Sequence, residues 1–350
     1  MPLLLTLVMC SCSSEDDGCD SGSGSPIAIV SQDLTFGPKA GTGTLEFQCD
    51  GAVMASLVSD WCTATMEGNK VKVSVVDNTD IEGRVAILTL NSEDYSVKIP
   101  VQQRGMALAT LPIYNYHAEN AGAKKSFVIQ HDFDVKLTTE DDWIHPVMDG
   151  DTLKITIDPN ETAQIRRGSM EFACAGVVDT LNIVQYDLKE NVIGTYYFGG
   201  NYAGSPYGIS FEFYQKDGQF YTDWSSHKGW ETAVFPAKFD AERCAITIPS
   251  YMEYFYNNGD YERGLFYDTS GIVAMSNTVG MVSYLYSNPL FYNASYGTLE
   301  DDGSWPGHTL SGFVIRKSVL QGLLVQTLVN LTDLYILRVG PLGVLDESNE

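Results

Sequence analysis

Alternation of apolar and polar residues dominates the first half of the chain. Val71, Val73 and Val75 alternate with Lys72 and Ser74, and Leu153, Ile155 and Ile157 alternate with Lys154 and Thr156. A period of two sends one row of side chains into a core and the other into water, as in a half-buried strand. Residues 84–90 and 95–101 predict two more strands across the turn-like residues 91–94. Shorter apolar segments at 34–36 and 44–47 flank Gly-rich residues 37–43, and those at 113–116 and 125–129 flank an Ala-Gly-Ala turn. About seven short strands in roughly 80 residues, with no long amphipathic helix between them, predict an immunoglobulin-like sandwich.

That pattern occurs twice. Asp60-Trp61, the strand after Gly68, Asn78, Arg84 and a closing Ile99-Pro-Val-Gln-Gln103 reappear as Asp142-Trp143, the strand after Gly150, Asn160, Arg166 or Arg167, and Leu181-Asn-Ile-Val-Gln185. Trp61 to Trp143, Lys72 to Lys154 and Asn78 to Asn160 are each 82 positions, and Gln102 to Gln185 is 83. Such self-similarity marks a tandem domain.

In order and spacing these motifs resemble the BACON domain (Bacteroidetes-associated carbohydrate-binding, often N-terminal), over residues 26–105 and 107–187. The resemblance implies two immunoglobulin-like modules that bind carbohydrate or space a working module from a membrane, and for this pair the spacer role is expected. Trp61 and Trp143 are read as core or corner residues, with sugar stacking as the alternative.

Beyond Asp187 the pattern changes. Fifteen of the 20 tyrosines lie between Tyr196 and Tyr296. Aromatic-rich segments at 208–214, 218–224, 245–248 and 280–286, with turn signals at 216–218 and 257–260, predict an antiparallel β-barrel or β-sandwich over residues 190–345. The fold class is therefore all-β: two tandem sandwiches and a third, Tyr-rich β domain. The tail at 319–339 reads as a helix or as two strands. Tyrosine offers a wide contact face and a hydroxyl at low conformational cost, which suits glycan or protein surfaces. Trp224 and Trp230, in a Trp-Ser-Ser-His-Lys-Gly-Trp loop, Trp305, in Asp-Gly-Ser-Trp-Pro-Gly-His, and Tyr221 are the candidate ligand-binding residues; a core role is the alternative for each tryptophan.

Charge and motif content narrow the function. With 45 acidic and 21 basic residues the formal net charge is −24, which repels nucleic-acid phosphate. No His-Glu-x-x-His, Gly-x-Ser-x-Gly or phosphate loop occurs, so no catalytic residue, metal site or cofactor is expected. The seven cysteines have no Cys-x-x-Cys spacing and read as small buried hydrophobes.

The N-terminus reads as an address. Residues 3–9 are an apolar run too short to span a bilayer, followed by Cys10-Ser11-Cys12 and an acidic, Gly/Ser-rich tether to residue 25. Residues 1–11 resemble a lipoprotein signal peptide with Cys12 as the lipidated residue and Cys10 as the alternative. No basic residue precedes the run, so the true start is expected upstream. The expectation from sequence is a lipid-anchored, surface-exposed outer-membrane protein that binds polysaccharide or host glycan without catalysis. An assembly subunit that binds another surface protein is the alternative, and a carbohydrate-active enzyme ranks third.

Overall fold

The computed structural model describes residues 26–342 except 94, 163, 228, 257–258 and 320–323; the signal-like segment and Cys12 lie outside the described residues. The chain forms two compact units, Met1–Leu108 and Ala109–Glu350.

The first unit is a sandwich of two four-stranded sheets. One runs Ala28–Gln32, Gly41–Gln48, Lys70–Val75, Cys62–Glu67, and the other Thr35–Phe36, Ser96–Gln103, Arg84–Asn91, Met54–Leu57. Val71, Val73, Leu45, Leu88, Leu90 and Val101 meet between the sheets, because alternation gives each strand one apolar face.

The second repeat rebuilds this plan at the head of the second unit. Ala123–Val128, Thr152–Ile157 and Ile144–Asp149 form one sheet, and Val135–Thr138, Arg166–Cys174, Val177–Gln185 and Asn115–Ala118 the other. In the first copy, Arg84 Nε donates to Gln103 Oε1 at 2.9 Å, its NH2 group donates to the carbonyls of Val76 and Asp77, and its guanidinium lies 4.7 Å from the Trp61 ring centroid. In the second copy, Arg166 Nε donates to Gln185 Oε1 at 2.7 Å, its NH2 group donates to the carbonyls of Asp158 and Pro159, and it lies 4.3 Å from Trp143. Asn78 and Asn160 close the same loops by donating to the carbonyls of Glu82 and Gln164. The repeated Trp, Asn, Arg and Gln thus form one clasp that satisfies loop carbonyls at the end of the sheet's two central strands. The geometry also corrects the alignment. Gln103, not Gln102, is the partner of Gln185 and Arg166 that of Arg84, so every offset is 82.

The Tyr-rich domain is a closed antiparallel barrel. Pairing runs from Gly194–Tyr202 through Ser205–Lys216, Gln219–Asp223, Val234–Asp240 and Ala245–Pro249 to Gly280–Tyr284. The segment 294–301 then pairs with Gly280–Tyr284 through its second half and with the final strand, Leu324–Gly340, through its first half. The final strand returns to Gly194–Tyr202, so eight strands close on themselves. The tail is therefore strand, not helix. Tyr196, Phe198, Phe211, Phe213 and Trp224 fill the interior, as an eight-stranded barrel allows. Met252–Phe255, Tyr261–Asp268 and Leu310–Val319 extend the sheet from the final strand and bring Phe266 and Phe313 onto Phe198. The turn at Asp217-Gly218, both with positive φ, is a two-residue hairpin. Among the described residues no helix is long and apolar enough to cross a membrane.

The expected boundary at 187–190 marks a change of fold within one unit. Arg167, the neighbour of the clasp arginine, donates to the carbonyls of Leu285, Arg243 and Cys244 of the barrel. Tyr186 OH donates to Ala241 O at 2.8 Å, and Ile165 N donates to Ser287 Oγ at 2.7 Å. Ile165, Val184 and Tyr186 belong to the barrel's core. Burial pushes the Cys244 thiol up to about 12, which leaves it an inert apolar group. In the first copy the counterparts of Arg167 and Val184 are Val85 and Gln102, both exposed.

Two outcomes follow for stability. Arg167→Ala strands three barrel carbonyls and should lower the stability of the second unit by about 2–3 kcal/mol, measured by denaturant unfolding. Val85→Ala, at the matching exposed position, should change stability by less than about 0.5 kcal/mol.

Candidate functional site

The tryptophans chosen from sequence do not face solvent. Trp224 is 1% exposed, stacked on Phe211 at 4.7 Å and edge-on to Phe198 at 5.5 Å. Trp230 is equally buried. The loop between them turns both rings inward, because two large apolar surfaces at the end of a barrel gain more from its core than from water. This corrects the expectation of exposed loop aromatics. Trp305 is half-buried against the barrel core and stacks on His308 at 4.3 Å. Tyr221 is half-buried on the outer wall, stacked with Tyr214 at 5.6 Å. The four residues come from three separate places and form no common site.

Trp230 belongs to a buried polar node. Its Nε1 donates to Glu262 at 2.8 Å, Tyr256 OH donates to the other Glu262 oxygen at 2.7 Å, and the Lys317 ammonium lies 3.5 Å away. Glu262 is 4% exposed. Burial, then the adjacent Glu262, pushes the Tyr256 phenol well above its ordinary range, so it remains a donor. Burial holds the nearby His227 imidazole below its usual range. Each Glu262 oxygen thus has a hydrogen-bond donor, and the node ties the Trp230 loop to the sheet. A second such tie anchors the Trp305 loop. Asp268 accepts from the backbone N–H groups of Ser270 and Ile272 and lies 2.6 Å from His308 Nδ1. The His308 bond, assisted by the two backbone donors, holds its carboxyl below the usual range.

The exposed aromatics lie elsewhere, on the barrel's outer wall. Tyr284 and Tyr286 flank buried Leu285 and point outward. Tyr286 meets Tyr296 edge-on at 5.5 Å, Phe291 stacks on Tyr296 at 5.3 Å, and Tyr296 stacks on Tyr335 at 5.6 Å. Beyond Tyr335 the wall is notched by glycine. A Cβ at Gly199 would stand 2.2 Å from the Tyr335 ring, and one at Gly208 would stand 2.1 Å from the Tyr197 ring. Gly199 and Gly208 are register partners, so the missing side chains let two rings lie flat on adjacent strands. Burial, reinforced by Tyr286 and Tyr335, raises the Tyr296 phenol, which leaves it an uncharged hydroxyl.

This band is the candidate functional site. It offers fixed, partly exposed rings with hydroxyls at their rims, suited to stacking and hydrogen bonding together. The alternation Tyr284-Leu285-Tyr286 signals one end of it in the sequence and Phe291 follows in the same hairpin, but Tyr335 reaches it only through strand pairing. Among the described residues no group of three His, Cys, Asp or Glu side chains could hold a metal ion.

Comparison with known proteins identifies the repeats. The family model for BACON, described as a putative binding domain, N-terminal, matches residues 56–104 and 134–186. No curated protein matches the chain. Among solved structures, an endo-fucoidan hydrolase from glycoside hydrolase family 107 is 12% identical, with 48% of this chain and 29% of that chain covered and a TM-score of 0.25. The chain thus spans less than a third of that hydrolase. A domain tandem from titin is 10% identical, with 63% and 93% covered and a TM-score of 0.34. Likeness at this level carries no argument about function.

The two polar nodes yield separate expectations. Trp230→Phe removes a donor from a buried carboxylate and should cost about 1.5–3 kcal/mol in denaturant unfolding. Asp268→Asn should lower the melting temperature at neutral pH. Because the folded-state pKa of Asp268 is depressed, its contribution is complete above the unfolded value and is lost as pH falls through the folded one. The gap between wild type and variant should therefore narrow below about pH 4 in calorimetric scans.

Proposed function

With two tandem BACON domains as the premise, we propose that this protein binds polysaccharide or host glycan at an outer-membrane surface, without catalysis, through the tyrosine band of its barrel. In this reading Cys12 carries a lipid anchor and the sandwiches hold the barrel away from the membrane. The observation that carries the reading is the run Tyr286, Tyr296, Tyr335 with Phe291, whose ring centroids stand 5.3–5.6 Å apart. Flat rings bind the C–H faces of pyranoses, and their hydroxyls bond to those of the sugar. Arg84, Gln103, Arg166 and Gln185 of the sandwiches are already engaged in the clasp, which favours the spacer role. Per-site affinity in such a band is weak and gains from several contacts along one chain.

A second reading, docking to another surface protein, draws on Leu290 and Tyr292, which are 84% and 99% exposed beside the band. An apolar projection of that kind suits a protein partner.

Isothermal titration of the full chain against plant, microbial and mucin glycans tests the first reading. Tyr286→Ala and Phe291→Ala should each weaken binding by roughly three- to tenfold with little change in melting temperature. Wild-type silence across the whole panel would sink glycan binding and leave the protein partner. Metabolic labelling with a fatty acid should mark the wild type and spare Cys12→Ser.

A further inference from the structure

The tyrosine band leads to a groove. Tyr284, two residues from Tyr286 on the same outward face, forms part of the wall of a cavity of about 540 Å³ where the second sandwich meets the barrel. Asn115 and Asn182, register partners on parallel strands, come from the sandwich side. Glu242 and Arg243 come from the exposed turn that joins Val234–Asp240 to Ala245–Pro249 on the barrel side. Arg167 also lines the groove, but its donors are committed to the carbonyls of Leu285, Arg243 and Cys244. It is therefore a fixed structural element of the groove, not a cation offered to a ligand.

We propose that this groove is the polar subsite that recognises one hexose unit of a neutral glycan, while the rest of the glycan runs over Tyr286 and Tyr296. The inference rests on the glycan-binding reading of the band. Three observations carry it. The cavity lies within the ordinary size range of small-molecule sites, about 300–1,000 Å³. Besides the committed Arg167 and the apolar Ile183 and Val184, its side chains are two carboxamides, one carboxylate, one guanidinium and one aromatic ring. Planar polar groups of this kind bond adjacent hydroxyls in pairs, and the ring covers the apolar face.

The residues are also particular to the second copy. At the positions equivalent to Asn115, Arg167 and Asn182 the first copy has Asp33, Val85 and Pro100. The sandwich scaffold itself does not require them. Asn182 Nδ2 donates to Tyr114 O at 3.2 Å, which fixes its amide and leaves the oxygen to accept. Arg243 lies 3.8 Å from Asp240 and Arg167 is bound to carbonyls, so Glu242, together with a net charge of −24, disfavours uronate or sulfate and selects an uncharged sugar.

The test is titration of the full chain with cello-, manno- and xyloglucan-derived oligosaccharides, with polygalacturonate as the anionic counterpart. Glu242→Gln and Asn115→Ala lie outside the cores, and their melting temperatures serve as the control for folding. The expected result is that each weakens binding of the tightest neutral oligosaccharide about tenfold, as does Tyr284→Ala, with polygalacturonate the weaker ligand throughout. If Tyr286→Ala weakens binding as expected while Glu242→Gln and Asn115→Ala bind as wild type does, the band reading stands and the groove inference falls. Polygalacturonate binding as tightly as the neutral sugars overturns the ligand class. A wild type that binds none of these probes overturns the groove inference, and silence toward microbial and mucin glycans as well removes the band reading itself.

Discussion

The closure of the barrel by residues 294–301 is the constraint on which the rest of the second unit depends. One segment pairs in its first half with the final strand and in its second half with Gly280–Tyr284. Those backbone bonds leave neither neighbouring strand with an open edge at that seam. A local hairpin pairs Tyr286 with Tyr296, and the closure bonds set Tyr335 against the far side of Tyr296. The band of rings is thus completed by how the barrel closes. The same closure accounts for the packed interior, since eight strands leave room for Phe198, Phe211 and Trp224 but not for a lumen.

The two sandwiches show one scaffold put to two uses. Both keep the clasp of arginine, glutamine and tryptophan around the same loop carbonyls. Beside the clasp they diverge. The second copy has Arg167, Val184 and Tyr186, which engage the barrel, where the first has Val85, Gln102 and Arg104. Three differences along adjoining strands set the second copy, which shares a compact unit with the barrel, apart from the first. The clasp itself is untouched, because its side chains point to the loop carbonyls and to Trp143, away from the barrel.

Much of the fold was legible because it is written in local pattern. Alternation at Val71–Val75 and Leu153–Ile157 marks strands with one buried face, and the 82-residue repeat marks two modules. The structural role of Trp61 and Trp143 was legible too, though only the clasp explains why each sits with its asparagine, arginine and glutamine. The functional surface was far less so. Trp224 and Trp230 resemble exposed loop aromatics because Ser, His, Lys and Gly separate them. Their burial depends on a carboxylate from another strand and on rings from two others, and nothing local encodes those.

The sequence by itself thus determined the β architecture, the tandem repeat and the tyrosine-rich composition of the last domain, since periodicity and motif spacing act over a few residues. Tertiary structure alone decided which aromatics face water, where the tyrosines align and that the second sandwich joins the barrel. Those outcomes turn on register between strands up to 145 residues apart, as Thr195 and Gly340 illustrate at opposite ends of the domain. Register is set by closure and core packing across the whole sheet, so no single segment of the chain carries it.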